Sequence, residues 1–279
     1  MRVGLVQLSV TDDPRENLPQ TLALIRQAAA GGAEFVLTPE NTNCLSSDRD
    51  HQARLFRTEA EDETLAALRA EAARLKIWLL IGSLGLLSDA GDGDDRFANR
   101  SFMIGPAGQI VARYDKIHMF DVTVSEREQY RESAGYRPGA RAVLAKTDFG
   151  LVGMAVCYDV RFAQLFRRLA KGGASILTVP AAFNDTTGAA HWHVLLRARA
   201  IENGAFVLAP AQCGDHAIHM GKPRRTFGHS LVVAPWGEVL ADGGTEVGVT
   251  FADIDLADVA KARGRVPSLG HDRDYDGPA

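Results

Sequence analysis

Short apolar runs alternate with amphipathic stretches along the chain. Residues 1–8, MRVGLVQL, alternate as a strand, and 16–32, ENLPQTLALIRQAAAGG, carry the helical period up to Gly31 and Gly32. AEFVLTP (33–39) is an unbroken apolar run of strand length. ETLAALRAEAARLK (63–76) returns to the helical period, with Leu65, Leu68, Ala72 and Leu75 on one face. Residues 77–87 read as a strand, and 98–115 as a strand pair turning at Pro106–Gly108. A second series begins with LVGMAVCYD (151–159). It continues as a helix over 160–171, the strand ASILTVPAA (174–182), a helix over 190–204, the strand 205–212 and a hairpin over 230–241.

The two series share residues as well as order. VGLV from Val3 matches VGMA from Val152, and GGAEFVLTP from Gly31 matches GGASILTVP from Gly172. SFMIGPAGQIVA from Ser101 matches SLVVAPWGEVLA from Ser230. This predicts two β-α-β-α-β-β units related by an internal pseudo-twofold duplication. Each unit has helices on one sheet face, so its other face needs cover. Packing sheet on sheet covers both, which predicts an α/β fold, a four-layer α-β-β-α sandwich. Residues 1–279 form a single domain in this reading, and the polar tail from about 265 to 279 either docks on a partner subunit or frays.

Composition narrows the function. With 31 basic and 35 acidic residues among 279, the net charge is −4, which gives no general attraction to nucleic acid or to an anionic membrane surface. No run approaches the roughly 18 apolar residues of a membrane span, and the N-terminus lacks a signal peptide's long apolar stretch. Cys44, Cys157 and Cys213 are odd in number, widely spaced and without a CxxC pair, which suits a reducing, cytoplasmic location.

Ligands of open α/β sheets collect beyond the carboxyl ends of strands. Three candidates fall there: Glu40 after FVLTP, Lys116 after IVARYD and Cys157 after LVGMAV. Their counterparts in the other unit are unreactive, Ala181 for Glu40 and Leu8 for Cys157, as a single active site on a doubled frame would leave them. Taken singly, a buried cysteine reads as a small hydrophobe and a lone Lys or Glu as a solvated charge. The three gain meaning only as a set. Cys44 and Cys213, near the same strand ends, are expected to border the cleft without reacting.

FVLTPEN, RYDKIHMFD and MAVCYDVRF resemble the three signature segments of the nitrilase superfamily of carbon–nitrogen hydrolases. YRESAGYRPG, TVPAAF, AHWHVLLRARAIEN, APAQ and GHSLVVAPWGEVLA resemble its supporting segments. The fuller pattern is similar to the branch of ω-amidases and deaminated-glutathione amidases. The resemblance implies the α-β-β-α sandwich, a Glu40–Lys116–Cys157 triad, no cofactor, and a homodimer or larger assembly. It also implies a second glutamate between the lysine and the cysteine. The YRES context points to Glu132, with Glu128 as competitor.

Residue chemistry fits that implication. An amide is a poor electrophile and needs a nucleophile, a proton shuttle and oxyanion stabilisation. Cys157 would attack, and Glu40 would carry its proton to the departing ammonia and later activate water. Lys116 and the backbone N–H of Tyr158 would face the oxyanion. A helix starting at Val160 would favour a thiolate at Cys157. Arg161 and Glu202 are expected to pair or to anchor helices, and His118 to support the site.

Phe183, Asn184 and Thr187, in segments bordering the mouth of the site, are expected to touch substrate. Lys222, Arg224 and Arg225 either neutralise a substrate carboxylate or form a basic surface loop. The expected partner is a small-molecule amide. Alternatives left open are an N-carbamoyl amino acid amidohydrolase, amide transfer, and a non-catalytic binding protein on the same fold. No metal is expected. His191, His193, His216 and His219 match no compact site. The acidic loop from Ser88 has Arg100 at the twelfth position from Asp89, where a calcium loop needs Glu.

Overall fold

Strands buried on both faces set the architecture. The computed structural model describes residues 1–88, 91, 93–126 and 128–277. Asp89, Ala90 and Asp92 of the acidic loop, and the last two residues of the tail, lie outside the described residues. The first half runs β1 (Arg2–Gln7), α1 (Pro14–Ala30), β2 (Phe35–Leu37), α2 (Arg49–Leu55), α3 (Glu63–Leu75), β3 (Trp78–Leu86), β4 (Ala98–Ile104) and β5 (Ile110–Asp115). A short hairpin follows, β6 (Asp121–Ser125) and β7 (Glu128–Arg131). The second half runs β8 (Val143–Thr147), β9 (Gly150–Met154), α4 (Ala163–Lys171), β10 (Ile176–Thr178), α5 (Asp185–Asn203) and β11 (Phe206–Ala209). A second hairpin, β12 (Cys213–His216) and β13 (Arg224–Phe227), precedes β14 (Leu231–Val233), β15 (Val239–Asp242), β16 (Gly248–Asp253) and α6 (Ala257–Arg265).

Two six-stranded sheets result, ordered β16-β1-β2-β3-β4-β5 and β8-β9-β10-β11-β14-β15. Read in these directions, both have the same pairing: antiparallel, parallel, parallel, antiparallel, antiparallel. The three matched sequence segments fall on corresponding strands. The edge strand beside β9 precedes it in sequence, whereas the one beside β1 comes from the far end of the chain.

The period of two along each strand sorts side chains into layers. In the first sheet Val3, Leu5, Phe35, Leu37, Leu80 and Met103 face inward and share one core with Val152, Met154, Ile176 and Leu208 of the second. The alternate residues Val6, Val36, Leu79, Ile81 and Phe102 pack instead with Ile25, Ala28, Leu65, Leu68 and Ala72 of α1 and α3. Helices α4 and α5 cover the second sheet. β3 is buried at all nine positions, as a strand covered on both faces requires.

Several boundaries differ from expectation. α1 begins at Pro14, because Asp13 caps it by accepting from Arg15 N–H. α5 begins at Asp185, five residues early, because the Asn184 side chain accepts from Thr187 N–H. The helix expected over 160–171 splits into a 3-10 turn, Cys157–Arg161, and α4. α2, α6, β8, β16 and both small hairpins carry weak or mixed patterns and went unpredicted. The tail leans back on its own chain, with Asp272 between Arg167 and Lys171 of α4. Among the described residues no helix is long and apolar enough to cross a membrane.

At one point in the first sheet backbones touch. A Cβ at Gly82 would lie 2.1 Å from Thr38 O and 2.4 Å from Pro39 O, in the segment that delivers Glu40. Gly82→Ala is therefore expected to cost about 1–3 kcal/mol of stability by overpacking, read as a lower urea midpoint. An unchanged midpoint would show that the two segments separate freely.

Candidate active site

The loops beyond β2, β5 and β9 converge at one end of the sandwich. Glu40, Lys116 and Cys157 are 3%, 2% and 7% exposed. Lys116 Nζ donates to Glu40 Oε1 at 2.8 Å and to the two Glu132 oxygens at 3.0 and 2.9 Å. The Cys157 thiol adjoins the Glu40 carboxyl, and each shifts the other's proton affinity. All four line a cavity of about 730 Å³ together with Tyr158, Phe183, Asn184 and Thr187. Glu132 rather than Glu128 meets the lysine. Glu128 holds Asn184 Nδ2 and the Tyr130 hydroxyl on the cavity wall.

The carboxylates are held by donors that the sequence did not reveal. Glu40 Oε2 accepts from Ala182 N–H at 2.9 Å, and Oε1 from Asn99 Nδ2 at 3.0 Å. Asn99 Nδ2 also reaches Glu132 Oε1 at 3.2 Å, and Phe120 N–H reaches Glu132 Oε2 at 2.6 Å. Gln212 Nε2 fixes the backbone carbonyl of Glu40 at 3.0 Å. These partners come from separate segments, Asn99 from the start of β4 and the others from loops, and their only sequence signal is a position near a strand end.

The electrostatics follow from burial and neighbours. Burial alone would raise the Glu40 carboxyl, but the Lys116 charge and hydrogen bond, aided by Ala182 N–H, hold it below the usual carboxylate range. Burial would lower Lys116, yet Glu132 and Glu40 outweigh it and keep the ammonium charged far into alkali. Burial and the Glu40 charge push the Cys157 thiol well above its ordinary value, against the pull of Lys116. Both directions favour a neutral thiol beside an ionised carboxylate. The helix expected to start at Val160 starts at Ala163, after a 3-10 turn, so the thiol does not stand at the helix terminus that was expected to favour a thiolate.

Cys157 sits in the left-handed region, φ +50°, at the first residue of the 3-10 turn. A non-glycine residue there needs outside support. Asp159, fully buried, supplies it. Its Oδ2 accepts from Val156 N–H at 2.9 Å and the Tyr114 hydroxyl at 2.6 Å. Its Oδ1 takes His118 N–H at 3.0 Å and lies 2.6 Å from His118 Nδ1. Tyr114 and His118 stand two residues either side of Lys116, so one carboxylate ties the cysteine turn to the lysine strand. His118 also stacks on Phe162, ring centroids 3.5 Å apart.

The remaining expectations divide. Cys44 lines the cavity with its thiol pushed up to about 12 by burial and nearby Asp12 and Asp13. Cys213 is buried away from the lining residues. Arg161 and Glu202 do not pair: Arg161 lies over the Tyr158 and Phe183 rings, and Glu202 pairs with Arg199 at 2.7 Å. Lys222 and Arg224 line the cavity, whereas Arg225 turns to Asp215 and Asp185. His191 meets Arg161, His216 lies between Val10 O and Thr226, and His219 meets Glu16. One group among the described residues, His193, His229 and Asp242, brings metal-capable atoms within 4.8 Å of each other. It lies off the cavity, and both imidazoles meet the carboxylate at 2.9 Å.

Comparison with known proteins places this arrangement in context. The carbon-nitrogen hydrolase family pattern matches residues 2–264. The chain is 39% identical to a deaminated glutathione amidase from Yersinia enterocolitica, over 97% of this chain and 92% of that protein. It is 37% identical to the omega-amidase NIT2 of Homo sapiens, over 95% and 92%. Among solved structures, the C. elegans NitFhit protein superposes with a TM-score of 0.88 at 34% identity, covering 98% of this chain and 65% of that one. A variant of the amidase from Nesterenkonia sp. AN1, 26% identical with a TM-score of 0.77 and covering 96% and 98%, carries acrylamide added at its active site cysteine.

The Asp159 tie is open to a direct test. In Asp159→Asn one of the two oxygens becomes an N–H donor and faces groups that already donate. A loss of about 1–3 kcal/mol in urea unfolding is expected, with a fall in turnover as the cysteine turn loosens. A variant as stable and as active as the parent would remove Asp159 from this role.

Proposed function

The chain belongs to the carbon–nitrogen hydrolase family of the nitrilase superfamily, and on that premise we propose that it hydrolyses the amide bond of a small carboxylate-bearing amide through a thioester on Cys157, releasing ammonia. The observation that carries the reading is the buried meeting of the Cys157 thiol, the Glu40 carboxyl and the Lys116 ammonium on one cavity wall.

As the sulfur bonds to the amide carbon, its proton passes to Glu40, so the charge of the cluster stays constant while negative charge moves to the carbonyl oxygen. The Lys116 ammonium and Tyr158 N–H face that oxyanion. Glu40 then gives the proton to nitrogen, the C–N bond breaks, and ammonia leaves a thioester. Glu40 next takes a proton from water, whose oxygen attacks the thioester carbon. The C–S bond breaks, the proton returns to sulfur, and the acid departs. Glu132 keeps Lys116 oriented, and Phe183, Asn184 and Thr187 border the substrate.

The protein acts in this reading as one catalytic domain, in a homodimer or larger homo-oligomer in the cytoplasm. Exposed Val194 and Ile201 on α5, with Trp236, Val239 and Leu240 on the β14–β15 hairpin, support an assembly. Three free thiols support a reducing compartment.

Two measurements test the chemistry. Quenching a reaction with α-ketoglutaramate is expected to trap an acyl adduct on Cys157 by mass spectrometry, and Cys157→Ala is expected to lose both the adduct and at least about 10⁴-fold in ammonia release. Persistent release by that variant would refute a covalent route. Carbon dioxide appearing with the ammonia from an N-carbamoyl amino acid would favour the carbamoylase instead. With Glu40 held below the usual carboxylate range it stays ionised as pH falls to that range, and with Cys157 held above the thiol range it stays neutral as pH rises to it. The kcat/KM profile is therefore expected to be flat from about pH 5 to 9. A limb near pH 7 would contradict this protonation state.

A further inference from the structure

The cavity wall also holds a cation, Arg224, that forms no ion pair among the described residues; the nearby Glu128 is taken up by Asn184 and the Tyr130 hydroxyl. β13 alternates, so adjacent arginines face opposite ways. Arg225 points to Asp215 and Asp185, at 3.1 and 3.5 Å. Arg224 lines the cavity, where its Nη2 donates to Ala182 O at 2.9 Å and its guanidinium lies 5.0 Å from the centroid of the Tyr130 ring, both neutral partners. Its Nε is the one buried side-chain donor among the described residues with no acceptor. Half-buried charge of this kind is unfavourable unless an anion completes it.

The other cations on this wall are differently placed. Lys116 is taken by Glu40 and Glu132, Arg49 by the carbonyls of Arg131 and Ala134, and Arg131 by the carbonyl of Tyr130. Lys222 stands exposed at the rim beside Arg224.

Ala182 sets the distance from this cation to the reacting groups. Its N–H binds Glu40 Oε2 and its carbonyl binds Arg224, each at 2.9 Å. One residue spans about 3.5 Å, so the guanidinium lies within about 10 Å of the base. That interval accommodates an acid of about four or five carbons with the amide at Cys157 and a carboxylate at the far end.

Resting on the amidase reading above, we propose that Arg224 recognises the free carboxylate of the substrate, and so selects ω-amides of short dicarboxylic acids over neutral amides of the same length. Lys222 draws the anion to the rim, and Arg224 binds it by charge-assisted hydrogen bonds. The planar fork, rather than charge alone, makes the contact.

Steady-state kinetics on succinamate and its neutral counterpart butyramide test this in the wild type, Arg224→Gln and Arg224→Lys. The ratio of kcat/KM for succinamate over butyramide is expected to fall about 100-fold in the glutamine variant, mostly through KM for succinamate. An intermediate fall is expected in the lysine variant. Succinate, as a competitive inhibitor, is expected to lose affinity in parallel. An equal loss on both amides, or an unchanged ratio, would overturn the role of Arg224 while leaving the hydrolase intact. If the wild type releases ammonia from neither amide nor from α-ketoglutaramate, the amidase reading itself falls and this inference with it.

Discussion

Lys116 carries its charge between Glu40 and Glu132 with 2% of its surface exposed, and an ion so enclosed is tolerable only while its partners stay ionised and fully hydrogen-bonded. Much of the site is explained by that demand. Ala182, Asn99 and Phe120 aim N–H groups at the two carboxylates because oxygens removed from water must find donors elsewhere. The cluster already carries one excess negative charge, so a thiolate at Cys157 would add a second in a place with little solvent to screen it. The sulfur therefore keeps its proton until a substrate draws charge onto its own oxygen. Nucleophile activation is thereby coupled to attack.

Such a cluster requires loops that do not drift. The rigidity comes from the two-sheet core below it, where strands of the first sheet send alternate side chains into different apolar layers. Above that core, loop ties loop. Gln212 holds the Glu40 backbone, Pro180 O accepts from Cys157 N–H, and Asp159 joins the cysteine turn to residues flanking Lys116. Each tie links segments far apart in sequence. A buried carboxylate is well suited to this task because its two oxygens can receive several donors at once.

The cavity beyond the thiol is built on a similar contrast. At its triad end one ammonium lies between two carboxylates, whereas its far wall presents Arg224 against an aromatic face and a carbonyl. The parity of one short strand decides this: shift β13 by a residue and the acid-paired arginine would face inward instead.

The buried strands and the helices with a clear apolar face were legible in the chain, because period and burial leave a local imprint. The strand-end positions of Glu40, Lys116 and Cys157 were legible for the same reason, and the motif contexts around them singled out Glu132 over Glu128. Edge strands such as β8 and β16, with one face half-exposed, left no such imprint. Neither did Asn99, Ala182, Gln212 and Asp159, whose roles depend on which loop lies opposite.

By itself the chain determined its layers, the order of its strands' apolar faces and the residue types available at the strand ends. Only the tertiary structure decided their distances, the protonation state of the thiol and the side to which each arginine turned. Periodicity is a property of neighbours in sequence, whereas charge balance and hydrogen-bond satisfaction are properties of neighbours in space.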